Sequence, residues 1–407
     1  MANFRVYLKT YDSAGNYDAD FTDITKYVQK IGKISIDTDS ADYQIGVFRT
    51  SNVQITLNNR DGLFSDTGAL ETLFIYRRAD SIIKITYQIQ NDGPWCGAAE
   101  VDEDYLCEEV EVYRGLLDDQ SLLENAKDEV VSLNCLGFES KFENVETNYA
   151  SLSNGMLMSV AMYTILNQTD ITQHLTISQA NIVADLDQTI DDVSSFENTT
   201  VKEALDLLLN ASNSIPKIID QVFYVSSRDP GASVAYTFYG QSSQNGVENV
   251  MDISKISNGM NRTFNFATWK DTILAEADAT SVSTHGTKKI EVDFEFVTNT
   301  TRRTNILDAI VADFGTPKQE LELTTPLNYA SLEIDILDRT SIDYPTVLIP
   351  WENFPFPVCG TAVCGSATTV LPRGLWALTI DPDTNYKVIK KELEPSKHTI
   401  KFKMREI

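Results

Sequence analysis

Strict alternation of apolar and polar residues runs through both ends of this chain and is missing from its middle. At the N-terminal end FRVYLKTY (4–11), KISIDT (33–38) and SNVQITLNNRDG (51–62) alternate, followed by SIIKITYQI (81–89), EEVEVYRGLL (108–117) and DEVVSLNCLGF (128–138). Successive side chains of a strand point to opposite faces, so runs of this kind fold as strands with one face in a core. Residues 1–145 are therefore predicted to be a β-domain. The turn residues Asn59, Asp61 and Gly62 that close the third run lack the opening acidic position of a calcium loop and read as a hairpin turn.

The period changes over 146–230. NGMLMSVAMYTILNQ (154–168) is apolar all round and predicts a buried helix, with Met156, Met158 and Met162 in its core. NTTVKEALDLLLNAS (198–212) is amphipathic, with Val201, Ala204, Leu205, Leu208 and Leu209 on one face, and Thr200 with Glu203 has the spacing of a capping box. VFYVSSR (222–228) predicts a strand before the turn DPG, which makes this stretch a small α/β module.

Alternation returns over 231–407, in SVAYTFYG, RTFNFATW, DTILAEAD, KKIEVDFEFV, QELELTT, ASLEIDIL, GLWALTID, YKVIKKEL and HTIKFKMREI. One helix, TNILDAIVADF (304–314), interrupts it and stops at Gly315 with Pro317 beyond. The fold class expected is mainly β with a small α/β module, in three domains, 1–145, 146–230 and 231–407.

The two β-domains also share an order of landmarks. Each has an alternating run (Ile82–Ile89; Leu332–Leu337), an irregular Pro-Trp insertion holding two cysteines (90–108; 343–372), an Arg-Gly pair (Arg114-Gly115; Arg373-Gly374), an acidic turn and a last strand pair. The expectation is an internal repeat of one barrel, with both insertions as the same connection.

Acidic residues number 59 against 33 basic, a formal charge of −26 spread along the chain, which excludes a tight grip on nucleic acid. No run of about 18 apolar residues is present and MANFRVYLKT has no signal-peptide core, so a chain in a reducing cytosol is expected. There are three histidines, His174, His285 and His398, and no nucleophile elbow, phosphate loop or zinc-protease motif, so an enzyme is not expected. Paired acids such as Asp102 to Asp104 or Asp191 and Asp192 read as solvated surface.

Of the five cysteines, Cys135 lies between apolar neighbours of a strand and reads as core. Cys96, Cys107, Cys359 and Cys364 lie in the two matching insertions, as Cys-x10-Cys and Cys-x4-Cys. Neither is a ferredoxin or zinc-ribbon spacing, which leaves three readings: a shared metal site, a disulfide in each loop, or free thiols.

Four segments together, ISIDTDSADYQIGVFRTSNVQITLNNRDGLFSD (34–66), VKEALDLLLNASNSIPKIIDQVFYVSSRD (201–229), DATSVSTHGTKKIEVDFEF (278–296) and YKVIKKELEPSKHTIKFKMREI (386–407), resemble in order the baseplate or tail-tip hub proteins of long-tailed bacteriophages. The resemblance implies two tail-tube-like β-barrel domains joined by an intervening domain. It implies a homotrimer whose six barrels cap the tail tube as a pseudo-hexameric ring around the DNA ejection channel. The implied partners are the tail tube protein, a distal tail protein, a central fibre or spike protein and the tape measure protein, in a virion assembled in the host cytoplasm, with DNA passing but not tightly bound. It also implies an iron–sulfur cluster, or zinc, on Cys96, Cys107, Cys359 and Cys364. A rival of another class is a β-sandwich that binds host carbohydrate through Trp95, Trp351, Phe354 and Phe356.

Overall fold

A computed structural model describes residues 3–11, 17–37, 51–60, 64, 80–88, 109–118, 123–125, 129–229, 231–239, 250, 252–257, 259–343 and 384–407. The first part of the chain supplies β1 (Phe4–Lys9), β2 (Thr22–Asp23), β3 (Val28–Ile31), β4 (Ile34–Asp37), β5 (Asn52–Asn58), β6 (Ile82–Gln88), β7 (Glu109–Leu117), β8 (Leu123–Asn125) and β9 (Val130–Leu136). In the middle stand α1 (Met158–Leu166), α2 (Val201–Ala211), β10 (Ser214–Ile219) and β11 (Val222–Ser227). The remainder supplies β12 (Tyr236–Tyr239), β13 (Asp252–Ser257), β14 (Phe266–Trp269), β15 (Ala275–Ala277), α3 (Ala279–His285), β16 (Lys289–Val292), α4 (Thr300–Phe314), β17 (Glu320–Pro326), α5 (Tyr329–Glu333), β18 (Arg339–Asp343), β19 (Asn385–Glu394) and β20 (Thr399–Glu406).

The protein is mostly β. With the edge strand β2 and the short β8 set aside from the first sheet and β4 from the second, the two large sheets carry the same strand order: β1-β6-β7-β9-β5-β3 and β12-β18-β19-β20-β17-β13. Numbered among those six strands, each runs first, fourth, fifth, sixth, third, second. Neighbours are antiparallel in both sheets, with one exception: β1 lies antiparallel to β6, whereas β12 lies parallel to β18. The alternation legible in the sequence is the inward and outward alternation of the strands. Val53, Ile55 and Leu57 of β5 and Val131, Leu133 and Cys135 of β9 face the core, as do Ile400, Phe402 and Met404 of β20. Both sheets contribute to one continuous hydrophobic core.

A second core unites the middle of the chain with a piece of the last part. Its centre is α1 and α2, where Met158, Met162, Ile165, Leu205 and Leu208 are fully buried. The capping box on α2 forms as its spacing requires, with Glu203 N donating to Thr200 and Thr200 N donating to Glu203. Against these helices pack Trp269, Phe294, Phe296, Ile306, Leu307 and Ile310. RTFNFATW, DTILAEAD and KKIEVDFEFV, expected as strands of a second barrel, thus form instead a separate sheet in the order β15-β14-β16, which joins the α/β core with α4. Alternation fixes which face of a strand is buried and leaves its sheet unassigned.

ASLEIDIL also departs from expectation. Tyr329–Glu333 is helical because Asn328 and Ser331 cap each other, and the strand that occupies the place of β6 in the second sheet is β18, one element later. Arg373-Gly374 and GLWALTID lie outside the described residues, as do the insertions 90–108 and, after Asp343, 344–372.

Candidate assembly interface

The two sheets are joined by an exchanged strand. Gly32 follows β3 with its Cα so near the backbone of β5 that an added Cβ would stand 3.0 Å from the Gln54 carbonyl oxygen, and its N–H donates to that oxygen at 2.7 Å. The chain then leaves the first sheet, and Ile34–Asp37 pairs antiparallel with Leu393–Lys390 of β19 in the second. Lys33 to Glu392 (2.6 Å), Lys390 to Glu392 (2.9 Å) and Lys390 to Asp37 (3.4 Å) flank this pairing, and Ile34 is buried in the common core. The Lys391 ammonium donates to the carbonyls of Leu332 (2.6 Å) and Ile334 (2.7 Å). Burial lowers its pKa to about 8 although Asp335 and Asp338 pull the other way.

Beside the joint is a cleft of about 390 Å³ between β4, β7, the β10–β11 hairpin and β19. Tyr113 and Glu139 line it and are both buried. Among the described residues the Tyr113 hydroxyl has no hydrogen-bond partner, and burial pushes its pKa well up. Burial also pushes the Glu139 carboxyl up, outweighing the hydrogen bond it accepts from Ser51 N.

The second sheet meets the α/β core through a buried charge cluster. Asp313, on α4, accepts ion pairs from Arg228 (3.3 Å), Lys318 (3.5 Å) and Lys387 of β19 (3.6 Å), and its backbone carbonyl faces Arg405 of β20 at 3.5 Å. These cations hold the Asp313 carboxyl far below the usual range despite its burial. Burial depresses Lys387 to about 8 and Arg228 to about 10, with Asp313 opposing the shift in both. Arg228 and Arg405 also lie over the Phe314 ring, at 5.5 and 4.4 Å from its centroid. One turn apart from Ile310 on the buried stripe of α4, Asp313 is an acid where periodicity calls for an apolar residue, and that was the sequence signal for this cluster.

A polar network ties the first sheet to the α/β core. Tyr17 Oη donates to the Asp80 carbonyl (2.8 Å) and sits 3.0 Å from His174 Nδ1, Lys141 pairs with the Asp80 carboxylate, and Arg114 donates to Gln221 at 2.6 Å. His174 is buried, and desolvation lowers its pKa. It is a satisfied structural histidine. Asp191 accepts from the backbone N–H groups of Thr298 and Asn299 at 2.8 Å and pairs with Arg302, so this acid anchors the start of α4 where surface had been expected.

Cys135 is fully buried as expected, and its burial pushes the thiol pKa up. Cys96, Cys107, Cys359 and Cys364 lie outside the described residues, as do Trp95, Trp351, Phe354 and Phe356. Among the described residues no group of three or more His, Cys, Asp or Glu side chains is placed to hold a metal ion. No described helix is long and apolar enough to cross a membrane.

No family model matches the chain, and no curated protein does. Solved structures do. The tail protein from Neisseria meningitidis MC58 is 10% identical with a TM-score of 0.54, over 99% of this chain and 96% of that one. The prophage tail protein gp18 from Listeria monocytogenes EGD-e is 10% identical with a TM-score of 0.54, over 99% and 94%. The 43 kDa tail protein of prophage MuSo2 from Shewanella oneidensis is 8% identical with a TM-score of 0.52, over 99% and 96%. At identities this low the likeness is one of fold: this chain shares the fold of these three tail proteins.

Proposed function

We propose that the chain is a structural virion protein of a long-tailed bacteriophage, a homotrimeric hub at the tail tip or baseplate. The observation that carries this reading is one strand order written twice in one chain, in sheets joined by β4. Three copies of a two-unit chain present six similar units, which matches a sixfold tube above to a threefold fibre or spike below. The fold shared with prophage tail proteins supports the same reading. In this role the tube protein, a distal tail protein and the tape measure protein are its neighbours, and the net charge of −26 keeps the ejection channel from holding DNA. No catalytic step is assigned to it.

Size-exclusion chromatography with light scattering tests the proposal. The expected mass is that of three chains, and negative-stain images of that species should show a ring with near-sixfold features. A protein that stays monomeric at every accessible concentration overturns it. The four-cysteine cluster is a separate proposal that the hub resemblance implies and the cysteine spacing alone does not. Protein purified without oxygen should hold stoichiometric iron and be brown, losing both in Cys96→Ser or Cys359→Ser. Colourless, metal-free protein removes the cluster and leaves the hub reading standing.

A further inference from the structure

The cleft beside the joint draws on all three regions of the chain. Ile34 and Ile36 of β4, Pro216 and Ile218 of the β10–β11 hairpin, and Ile336 with Leu393 of β19 supply its apolar walls. At about 390 Å³ it falls within the size range of small-molecule sites, which favour junctions between domains. Its mouth is apolar and reaches solvent, since Ile36 and Ile219, both lining it, are 36% and 38% exposed.

The first sheet contributes four consecutive residues, Glu111 to Arg114. A regular strand turns successive side chains to opposite faces and would offer only every second one. Ile85 pairs with Tyr113 and Thr86 with Glu111, which leaves Val112 as the extra residue of a β-bulge. Bulges re-aim side chains, and this one lies where the strand borders the cleft. Tyr113 is buried there, and among the described residues its hydroxyl has no hydrogen-bond partner. Gly115 makes room for that hydroxyl, because an added Cβ would stand 2.4 Å from its oxygen. Phenylalanine would fill the same place without burying a donor. A lone hydroxyl here therefore destabilises the chain unless an acceptor arrives from outside it.

Charge limits what kind of molecule brings that acceptor. Among the described lining residues the cations are already engaged: Arg114 with Glu111 and Gln221, Lys217 with Asp335 at 3.8 Å, and Lys391 with two backbone carbonyls. Asp220 and Glu333 line the cleft and are exposed. An anion would meet two carboxylates and no spare cation, and the apolar walls disfavour charge of either sign. We propose that the cleft binds an uncharged organic molecule, with an apolar body against these walls and one oxygen or nitrogen acceptor for the Tyr113 hydroxyl. The lining residues all come from one chain, so the proposal is independent of the trimer.

Three probes that share two rings test it on the full chain: benzophenone, which has the acceptor, diphenylmethane, which lacks it, and para-benzoylbenzoate, which adds a charge. In titration calorimetry benzophenone should bind saturably and more tightly than the other two. Tyr113→Phe should weaken benzophenone by about 2- to 10-fold, the contribution of one hydrogen bond, and leave diphenylmethane unchanged. Irradiated benzophenone should label Val112, Phe138 or Ile218 in peptide mass mapping, and Ile218→Trp should abolish that labelling by filling the cleft. The proposal is overturned by an absence of saturable binding, by labels elsewhere, by equal benzophenone affinity in Tyr113→Phe, or by tightest binding of the benzoate. Circular dichroism checks that each variant is folded. Should Ile218→Trp not fold, the Tyr113→Phe comparison decides, because that change removes one oxygen and keeps the packing. None of these results touches the hub reading.

Discussion

The two large sheets share a strand order and differ in what they bury at their edges. Where the second sheet meets the α/β core it hides cations, Lys387 and Arg405, gathered around Asp313. The first sheet hides acids near the cleft, Glu139 and the partly buried Glu111, both with carboxyl pKa values raised chiefly by desolvation. The first sheet donates β4 while the second accepts it, and residues 259–315, which enter the α/β core, occupy the place between β13 and β17 that β4 and its neighbours hold between β3 and β5. A repeated fold conserves strand order because every core contact depends on it. Connections and edge chemistry are free to diverge, and they set what each copy joins.

The shared core gives the comparison its sharpest test. Phe402, fully buried and 5.6 Å from the Phe238 ring, is at the centre of the second sheet, and Leu133 holds the aligned place in the first. Phe402→Ala should cost about 3–5 kcal/mol and Leu133→Ala about 2–5 kcal/mol. Because the sheets share one core, each variant should melt both sheets in a single transition followed by calorimetry. Two separate transitions, with only one moved, would show the copies to be independent units.

Neutralising one buried carboxyl in each region should produce opposite signs. Asp313→Asn leaves Arg228 and Lys387 buried without their counter-charge and should destabilise by about 3 kcal/mol or more. Glu139→Gln removes a carboxyl whose ionised form is disfavoured by burial, so it should be neutral or stabilising at pH 7 in urea denaturation. The same sign for both would break the electrostatic contrast between the two regions.

A smaller effect is expected at the joint, where the pairs are partly exposed. Lys390→Ala should cost about 1 kcal/mol or less, because the β4 backbone ladder remains. Loss of the trimer in this variant would mean that side-chain pairing, rather than the strand, holds the two units in register.

The smallest effect is a pH drift at the contact of first sheet and α/β core. His174 has a folded pKa below its ordinary 6.5 because it is desolvated. Above pH 6.5 neither state holds the proton and stability is unaffected. As pH falls below 6.5 the unfolded chain takes up a proton before the folded one does, so stability declines until the folded pKa is passed. The melting temperature should therefore fall between pH 7 and 5 more steeply in wild type than in His174→Asn.

Much of this protein was legible in its residues. Alternation in SNVQITLNN and HTIKFKMREI named the inward faces, Thr200 and Glu203 announced the start of α2, and Gly315 ended α4, since each depends on spacing within a few residues. The order of landmarks pointed to a repeat, though Leu332–Leu337 was matched one element early because the Asn328 and Ser331 cap outweighs the alternation of ASLEIDIL. The candidate interface was harder to see. KISIDT declares a strand, yet nothing in its pattern says that it belongs to β19 rather than to β5, and RTFNFATW says nothing of leaving the second sheet for the α/β core.

The amino-acid sequence by itself determined the elements, their buried faces and the presence of two similar β regions, because these follow from side-chain periodicity and local capping. Only the tertiary structure decided which edges meet, that β4 crosses between sheets, and that Asp313 gathers Arg228, Lys387 and Arg405 from three distant stretches of chain beside the nearby Lys318. Backbone hydrogen bonds are the same for every residue type, so a strand carries no address for its partner. That address comes from the shape and charge that the rest of the chain assembles around it.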